Sequence, residues 1–250
     1  MTDTTASDFP LGTGVEILTQ APGGLVAFDK PAGVLSHPNM KSEQPRALLT
    51  CDYSIAGEFF SWKDESGELR RLWLLNRLDS HTSGVILGAT DGELAKNIRA
   101  LFLHKHIQKV YHALVFGKSA NSTEMWKDRL DVEKRGGQVR TVAGKGVPSE
   151  SQMRVLKQRR DPALSLTLIE LTPRTGRSHQ LRVQCAHRRL PIVGDATYGD
   201  FGANRALAKA SGVKRLCLHS HQTSFDYEHA GKTVKFTATA PTPKEILGLL

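Results

Sequence analysis

Hydrophobic positions along this chain fall mostly in short runs bounded by turn-forming residues, a pattern that predicts many strands and few helices. Two runs flank a charged knot. Trp73-Leu74-Leu75 and Leu78 lead into it, and Val85-Ile86-Leu87 follow it. They predict two buried strands joined by a loop of Ser, Thr and Gly. Gly24–Phe28 predicts a strand, ended by the turn Asp29–Gly33, with Val34–Pro38 as a further extended piece. Lys109–Gly117 alternates and is rich in β-branched and aromatic residues, so it predicts another strand. Met153–Leu156, Ala163–Leu171 and Arg215–Phe225 predict three more. Residues 118–150 are polar and Gly-rich. They read as a peripheral insertion of short strands turning at Gly136-Gly137.

Helical spacing is rarer. Asp91 is placed as an N-cap, and Leu94, Ile98, Leu101 and Phe102 then recur at helical intervals up to about His104. Leu181 and Cys185 lie four apart after the Thr175-Gly176 turn, so a helix is expected within 175–187. A short C-terminal helix, Lys244–Leu250, follows Pro241 and Pro243. Residues 41–70 are weakly patterned, with a short helix expected around Arg46–Asp52. Alternating strands with few helices indicate an α+β protein.

Composition narrows the function classes. At 250 residues, 39% hydrophobic and 24% charged, the chain can bury a substantial core. No apolar run is long enough for a transmembrane helix, and the first residues lack the basic-then-apolar pattern of a secretory signal. Cys51, Cys185 and Cys217 are widely spaced and odd in number, which suits a reducing cytoplasm rather than a disulfide frame. Net charge is +9, and it is uneven: residues 151–220 hold 13 Lys and Arg against 4 Asp and Glu. A locally basic surface points to a polyanion, nucleic acid first.

The charged knot is the candidate site. Arg77 and Asp79 are two apart, so in an extended segment both side chains leave one face, and a guanidinium there keeps the carboxylate ionised. Thr82 and Ser83 can bond the local backbone, and Gly84 suits a sharp turn. A salt-bridged turn capping two core strands would look the same.

The stretch NRLDSHTSGVIL, Asn76–Leu87, resembles the HRLDxxTSGLLL signature of the RluA family of pseudouridine synthases, with Asn76 in place of the usual His. Four more stretches resemble family motifs in order. They are AFDKPAGVLSHP from Ala27, KVYHALVFG from Lys109, TGRSHQLRVQCAH from Thr175 and LPIVGDATYG from Leu190, with RLCLHSHQTSF at Arg215–Phe225 as a final strand. The resemblance implies a pseudouridine synthase fold, α+β, with a mixed and mainly antiparallel sheet, flanking helices and a central catalytic cleft. It implies Asp79 as the catalytic aspartate and Arg77 as the arginine that fills the place of the flipped uridine. Tyr111 becomes the active-site tyrosine that stacks on the base, and Arg182 the basic partner of the aspartate.

The implied activity is isomerisation of uridines in rRNA or tRNA. It involves no net redox change, so no cofactor and no metal are expected, and no nucleotide cofactor or membrane partner. A cytoplasmic monomer is expected. Residues 1–20 would be a mobile lead and 21–250 a single catalytic domain, without the extra RNA-binding domain that many relatives carry. Other readings fit less well. His104/His106 and His219/His221 are H-x-H pairs, but no H-E-x-x-H is present and exposed or core histidines are the better account, and the GKS at Gly117–Ser119 lacks the upstream glycine of a phosphate-binding loop. A non-catalytic RNA-binding protein of the same fold remains the main competitor, although Asp79, Tyr111 and Arg182 are all present.

Overall fold

The computed structural model describes residues 9–135, 138–159 and 164–250. The chain forms two compact units. One comprises Met1–Ile107 and Ser220–Pro241, the other Gln108–His219 and Thr242–Leu250.

The first unit is built on β1 (Glu16–Ala21), β2 (Leu25–Lys30), β3 (Asp52–Ser54), β4 (Phe59–Lys63), β5 (Leu69–Leu74) and β6 (Ser83–Ala89). Hydrogen-bonded neighbours run β3-β4-β5-β6-β2-β1, each pair antiparallel. All seven residues of β6 are buried, which is why it reads as an unbroken apolar run rather than an alternation. Helix α1 (Gly92–Leu103) starts where its cap predicts: Asp91 Oδ1 accepts from Leu94 N at 2.7 Å. Its buried Leu94, Ala95 and Ile98 join Leu87, Phe225 and Phe236 in this unit's core.

The second unit stacks β7 (Gln108–Phe116), β8 (Thr123–Arg135), β9 (Gln138–Ala143), β10 (Val147–Arg159) and β11 (Leu166–Pro173) in the order β7-β11-β10-β8-β9, again antiparallel. Its helices are α2 (Gln180–His187), α3 (Phe201–Ser211) and α4 (Lys244–Leu247). Strand β12 (Leu218–His229) lies in the first unit except for its first two residues, and pairs there with β13 (Lys232–Thr239). Among the described residues no helix is long and apolar enough to cross a membrane.

Several expectations change. The helix around Arg46–Asp52 is absent: a 3-10 turn, Lys41–Arg46, precedes extended chain in which Ala47, Leu48 and Leu49 are fully buried. Bridges from Leu35 to Ala47 and from Leu11 to Leu49 pull that segment open. Residues 118–150 are no peripheral insertion. They supply the 13-residue β8, all of β9 and the start of β10, and the fully buried Trp126 sits in the second core. The expected turn at Gly136-Gly137 lies outside the described residues, as does Ala163, the first residue of one expected strand. A strand precedes the first one expected, since β1 pairs with β2, and Phe9 packs edge-on against Phe28 at 5.7 Å. Of the lead expected over 1–20, residues 1–8 lie outside the described residues.

Candidate active site

The charged knot is an irregular loop from Leu75 to Thr82 between β5 and β6. Its first residue still bonds the neighbouring strand, Leu75 N donating to Leu87 O of β6 at 3.0 Å, and beyond it side chains hold much of the loop. Ser36 holds Leu78 from both sides: its hydroxyl donates to Leu78 O at 2.7 Å and accepts from Leu78 N at 3.0 Å. Asn76 Oδ1 accepts from Leu87 N at 2.8 Å, so this polar residue takes a backbone donor of β6. Thr82 N donates to Asp79 O at 3.0 Å and tightens the turn. Gly84 has φ +106°, and a Cβ there would collide with the carbonyl of Ser220, so only glycine fits. Within this loop Arg77 is exposed and Asp79 half-buried.

Lys30 is the residue that sequence reasoning passed over. It is fully buried, and its ammonium donates to three carbonyls: Val34 at 2.7 Å, Pro31 at 3.1 Å and Ser80 at 3.1 Å. Gly33 N adds a bond to the same Ser80 carbonyl at 2.8 Å. The end of β2 is thereby clamped to the residue after Asp79. The signal was available, because Lys30 shares the parity of Val26 and Phe28 along a buried strand.

Tyr111 and Arg182 belong to the second unit. Tyr111 lies on β7 opposite Leu171 of β11 and packs partly buried against the core. Arg182 lies on α2, where every residue from Gln180 to Cys185 is buried. That helix has no exposed stripe for a sequence pattern to show. Its polar residues are bonded instead: Gln180 Oε1 accepts from Thr175 Oγ1 at 2.8 Å and Arg177 N at 3.1 Å, and Gln184 Nε2 donates to Asp128 at 2.8 Å. The helix begins at Gln180, later than its motif, after His179 in the left-handed region at φ 53°.

Arg182 forms a two-bond ion pair with Asp195. Nε donates to Oδ2 and Nη2 to Oδ1, each at 2.8 Å. Both residues are buried, at 8% and 1% exposure. Burial pushes the Asp195 carboxyl up. The Arg182 bonds and the backbone N–H groups of Tyr198 and Thr197 outweigh that and hold it below the usual carboxylate range. The Arg182 guanidinium lies 5.1 Å from the Tyr198 ring centre, and the Tyr198 hydroxyl is bonded to His179 Nδ1 and accepts from Thr141 N, both at 2.9 Å. The pairing is charge-assisted and bidentate, the arrangement that best fixes a guanidinium plane. Asp195 and Tyr198 lie in the LPIVGDATYG motif, but spacing alone does not show which helix they hold.

The geometry thus consists of a pinned loop carrying Arg77 and Asp79 in one unit, and a fixed arginine with a tyrosine-bearing strand in the other. The family model for RNA pseudouridylate synthase matches residues 24–187. A tRNA pseudouridine synthase C from Haemophilus influenzae is 31% identical over 232 residues, covering 90% of this chain and 92% of that protein. The protein of that name from Yersinia pestis is 30% identical over 227 residues, covering 88% and 84%. The solved structure of human RNA pseudouridylate synthase domain containing 4 has a TM-score of 0.63 and 24% identity, covering 92% of this chain and 90% of that one. Human RNA pseudouridylate synthase domain containing 1 gives a TM-score of 0.67 at 19% identity, covering 96% and 86%. The two likenesses show the α+β pseudouridine synthase fold. With the family model spanning both units, this chain belongs to the RNA pseudouridylate synthase family.

Proposed function

We propose that this RNA pseudouridine synthase modifies tRNA, with Asp79 as its catalytic carboxylate. The reaction breaks the bond from N1 of uracil to the sugar, turns the detached base and joins the sugar to C5. The proton lost from C5 is matched by one gained at N1, so atoms and electrons balance without a cofactor. A carboxylate beside the sugar serves as nucleophile at the anomeric carbon or as base on the ribose. The observation that carries this reading is the loop itself. Lys30, Ser36 and Asn76 fix its backbone, so a half-buried carboxylate is presented from a rigid frame.

In this reading Arg182, its plane set by Asp195, orients the Asp79 carboxylate. Tyr111 stacks on the base and offers its hydroxyl to a proton. The exposed Arg77 fills the gap left by the flipped nucleotide, offsetting a few kcal/mol of unstacking. The choice of tRNA rests on the relatives named tRNA pseudouridine synthase C. A monomer in the cytoplasm completes the proposal, and sedimentation of the purified protein tests its first half.

The test is a map of pseudouridine in cellular tRNA and rRNA with and without the gene, complemented by Asp79→Asn. The substitution is expected to keep the fold and RNA binding and to remove isomerisation, a loss of several kcal/mol of transition-state stabilisation. Activity within about tenfold of wild type would sink the assignment of Asp79, and unchanged tRNA with a changed rRNA site would sink the choice of substrate.

A further inference from the structure

The second unit has an open cavity of about 600 Å3 along α3. This lies within the roughly 300–1,000 Å3 of typical small-ligand sites, room enough for a nucleotide. Its floor is apolar, with Val193 and Val213, and its rim carries Arg205, Lys209 and Lys214. All three cations are exposed, and no acidic side chain lines the cavity. The nearby acids are engaged: Asp200 caps α3 through Ala203 N at 2.9 Å, and Glu245 pairs with Arg215 at 2.9 Å. Phe201 opens the helix at the cavity with 52% of its surface exposed.

Singly these features are ordinary, since lone exposed aromatics and basic helix faces are common. Their convergence in one concavity is not. The cavity lies in the stretch that holds the basic surplus, residues 151–220. It is also tied to the site. Asn204 lines it, accepts from Gly194 N at 2.7 Å and donates Nδ2 to Asp195 O at 3.2 Å, and the Asp195 carboxylate holds Arg182.

The geometry points to a second RNA subsite, in which a nucleotide of the substrate other than the target stacks its base on Phe201 and the apolar floor. Its phosphates, or those beside it, meet Arg205, Lys209 and Lys214. This rests on the reading of the protein as an RNA-modifying enzyme. An aromatic face beside cations is how single-stranded nucleic acid is held without sequence preference. The subsite anchors RNA beside the segment whose Asp195 fixes Arg182.

The experiment measures binding of fluorescein-labelled oligouridylate across a salt series, and single-turnover isomerisation of tRNA at saturating enzyme. The variants are Phe201→Ala, Phe201→Tyr and the triple Arg205→Gln, Lys209→Gln, Lys214→Gln, each checked for an unchanged thermal melt. Loss of one stacked base weakens binding about five- to a hundredfold in Phe201→Ala, while Phe201→Tyr stays near wild type. Three lost phosphate contacts make the slope of log K against log salt shallower by about 2 in the triple variant. The saturated rate stays within about twofold in all of them, because none touches the reacting atoms. An unchanged affinity in folded Phe201→Ala overturns the subsite whatever the triple does, since charge alone requires no cavity. A wild type that binds oligouridylate through this cavity but modifies no RNA overturns the proposed activity and leaves the subsite standing.

Discussion

Replacing Asp195 by Asn tests how Arg182 is held. Asp195 Oδ1 accepts from Arg182 Nη2, Thr197 N and Tyr198 N, whereas among the described residues Oδ2 accepts from Arg182 Nε alone. An Asn therefore keeps its oxygen on the crowded side and sets its NH2 against the Arg182 Nε–H, donor facing donor. The two backbone bonds survive, and the loss falls on the bidentate pairing with Arg182, the bond that fixes the guanidinium plane. Breaking one partner of a buried pair costs about 3–5 kcal/mol. For a chain of this size each kcal/mol lowers Tm by about 2–4 °C, so a drop of about 6–20 °C is expected at pH 7. The Asp195 carboxyl is held below its usual range, so its contribution is present above the unfolded value of about 3.9 and is lost as pH falls through the folded value. The gap between wild type and Asp195→Asn should persist from pH 8 to pH 5 and close as pH falls below about 4. Thermal melts of both proteins, repeated in an Arg182→Met background, read the coupling. A Tm within about 2 °C of wild type, or the same drop with and without Arg182, would refute the view that Asp195 fixes this guanidinium.

Two further outcomes are expected. Lys30→Met removes the donor to three carbonyls around the Asp79 loop, so kcat at saturating RNA should fall more than about tenfold with cleavage at residues 75–82 under limited proteolysis, and a wild-type kcat would count against the clamp. Burial pushes the thiols of Cys51 and Cys217 up to about 12 and raises Cys185 as well, so the folded protein should resist iodoacetamide at pH 8 while the denatured protein reacts at all three, and rapid alkylation of native Cys217 would contradict this.

What the sequence made legible follows from where each signal is stored. Helix α1 was readable because its cap and its apolar stripe are local: Asp91, then Leu94 and Ile98. Arg77 and Asp79 were readable as neighbours in one loop because they lie two residues apart between two apolar runs. Helix α2 was placed but its face was misjudged, since Gln180, Arg182 and Gln184 are as buried as Leu181 and Cys185 and only hydrogen bonds make that tolerable. Strand β8 was mistaken for a peripheral piece because charged residues alternate with the few that matter, Trp126 and Leu130, whereas the Met153–Leu156 part of β10 was legible as a strand. Helix α3 and strand β13 were passed over although Asp200 at one end and Gly212 at the other mark α3. Asp195 holds Arg182 across thirteen residues of chain, and Lys30 reaches Ser80 across fifty, distances over which spacing carries no information.

The order in which the chain visits its two units has a consequence for its synthesis. It leaves the first unit after Ile107 and returns only at Ser220–Pro241, bringing Phe225, Tyr227, Phe236 and Ala238 to a core that lacks them until then. At the usual 5–20 residues per second, a ribosome needs roughly 7–27 s to extend from residue 107 to residue 241. For that interval the buried β6 and the inner face of α1 wait with part of their cover unmade, a nascent surface suited to a holding chaperone. The second unit waits in turn for Ile246 and Leu249. Neither body is a contiguous segment, so cutting the gene at residue 107 or 219 should yield two insoluble halves, and a stalled or truncated message would release aggregation-prone chains rather than a spare domain.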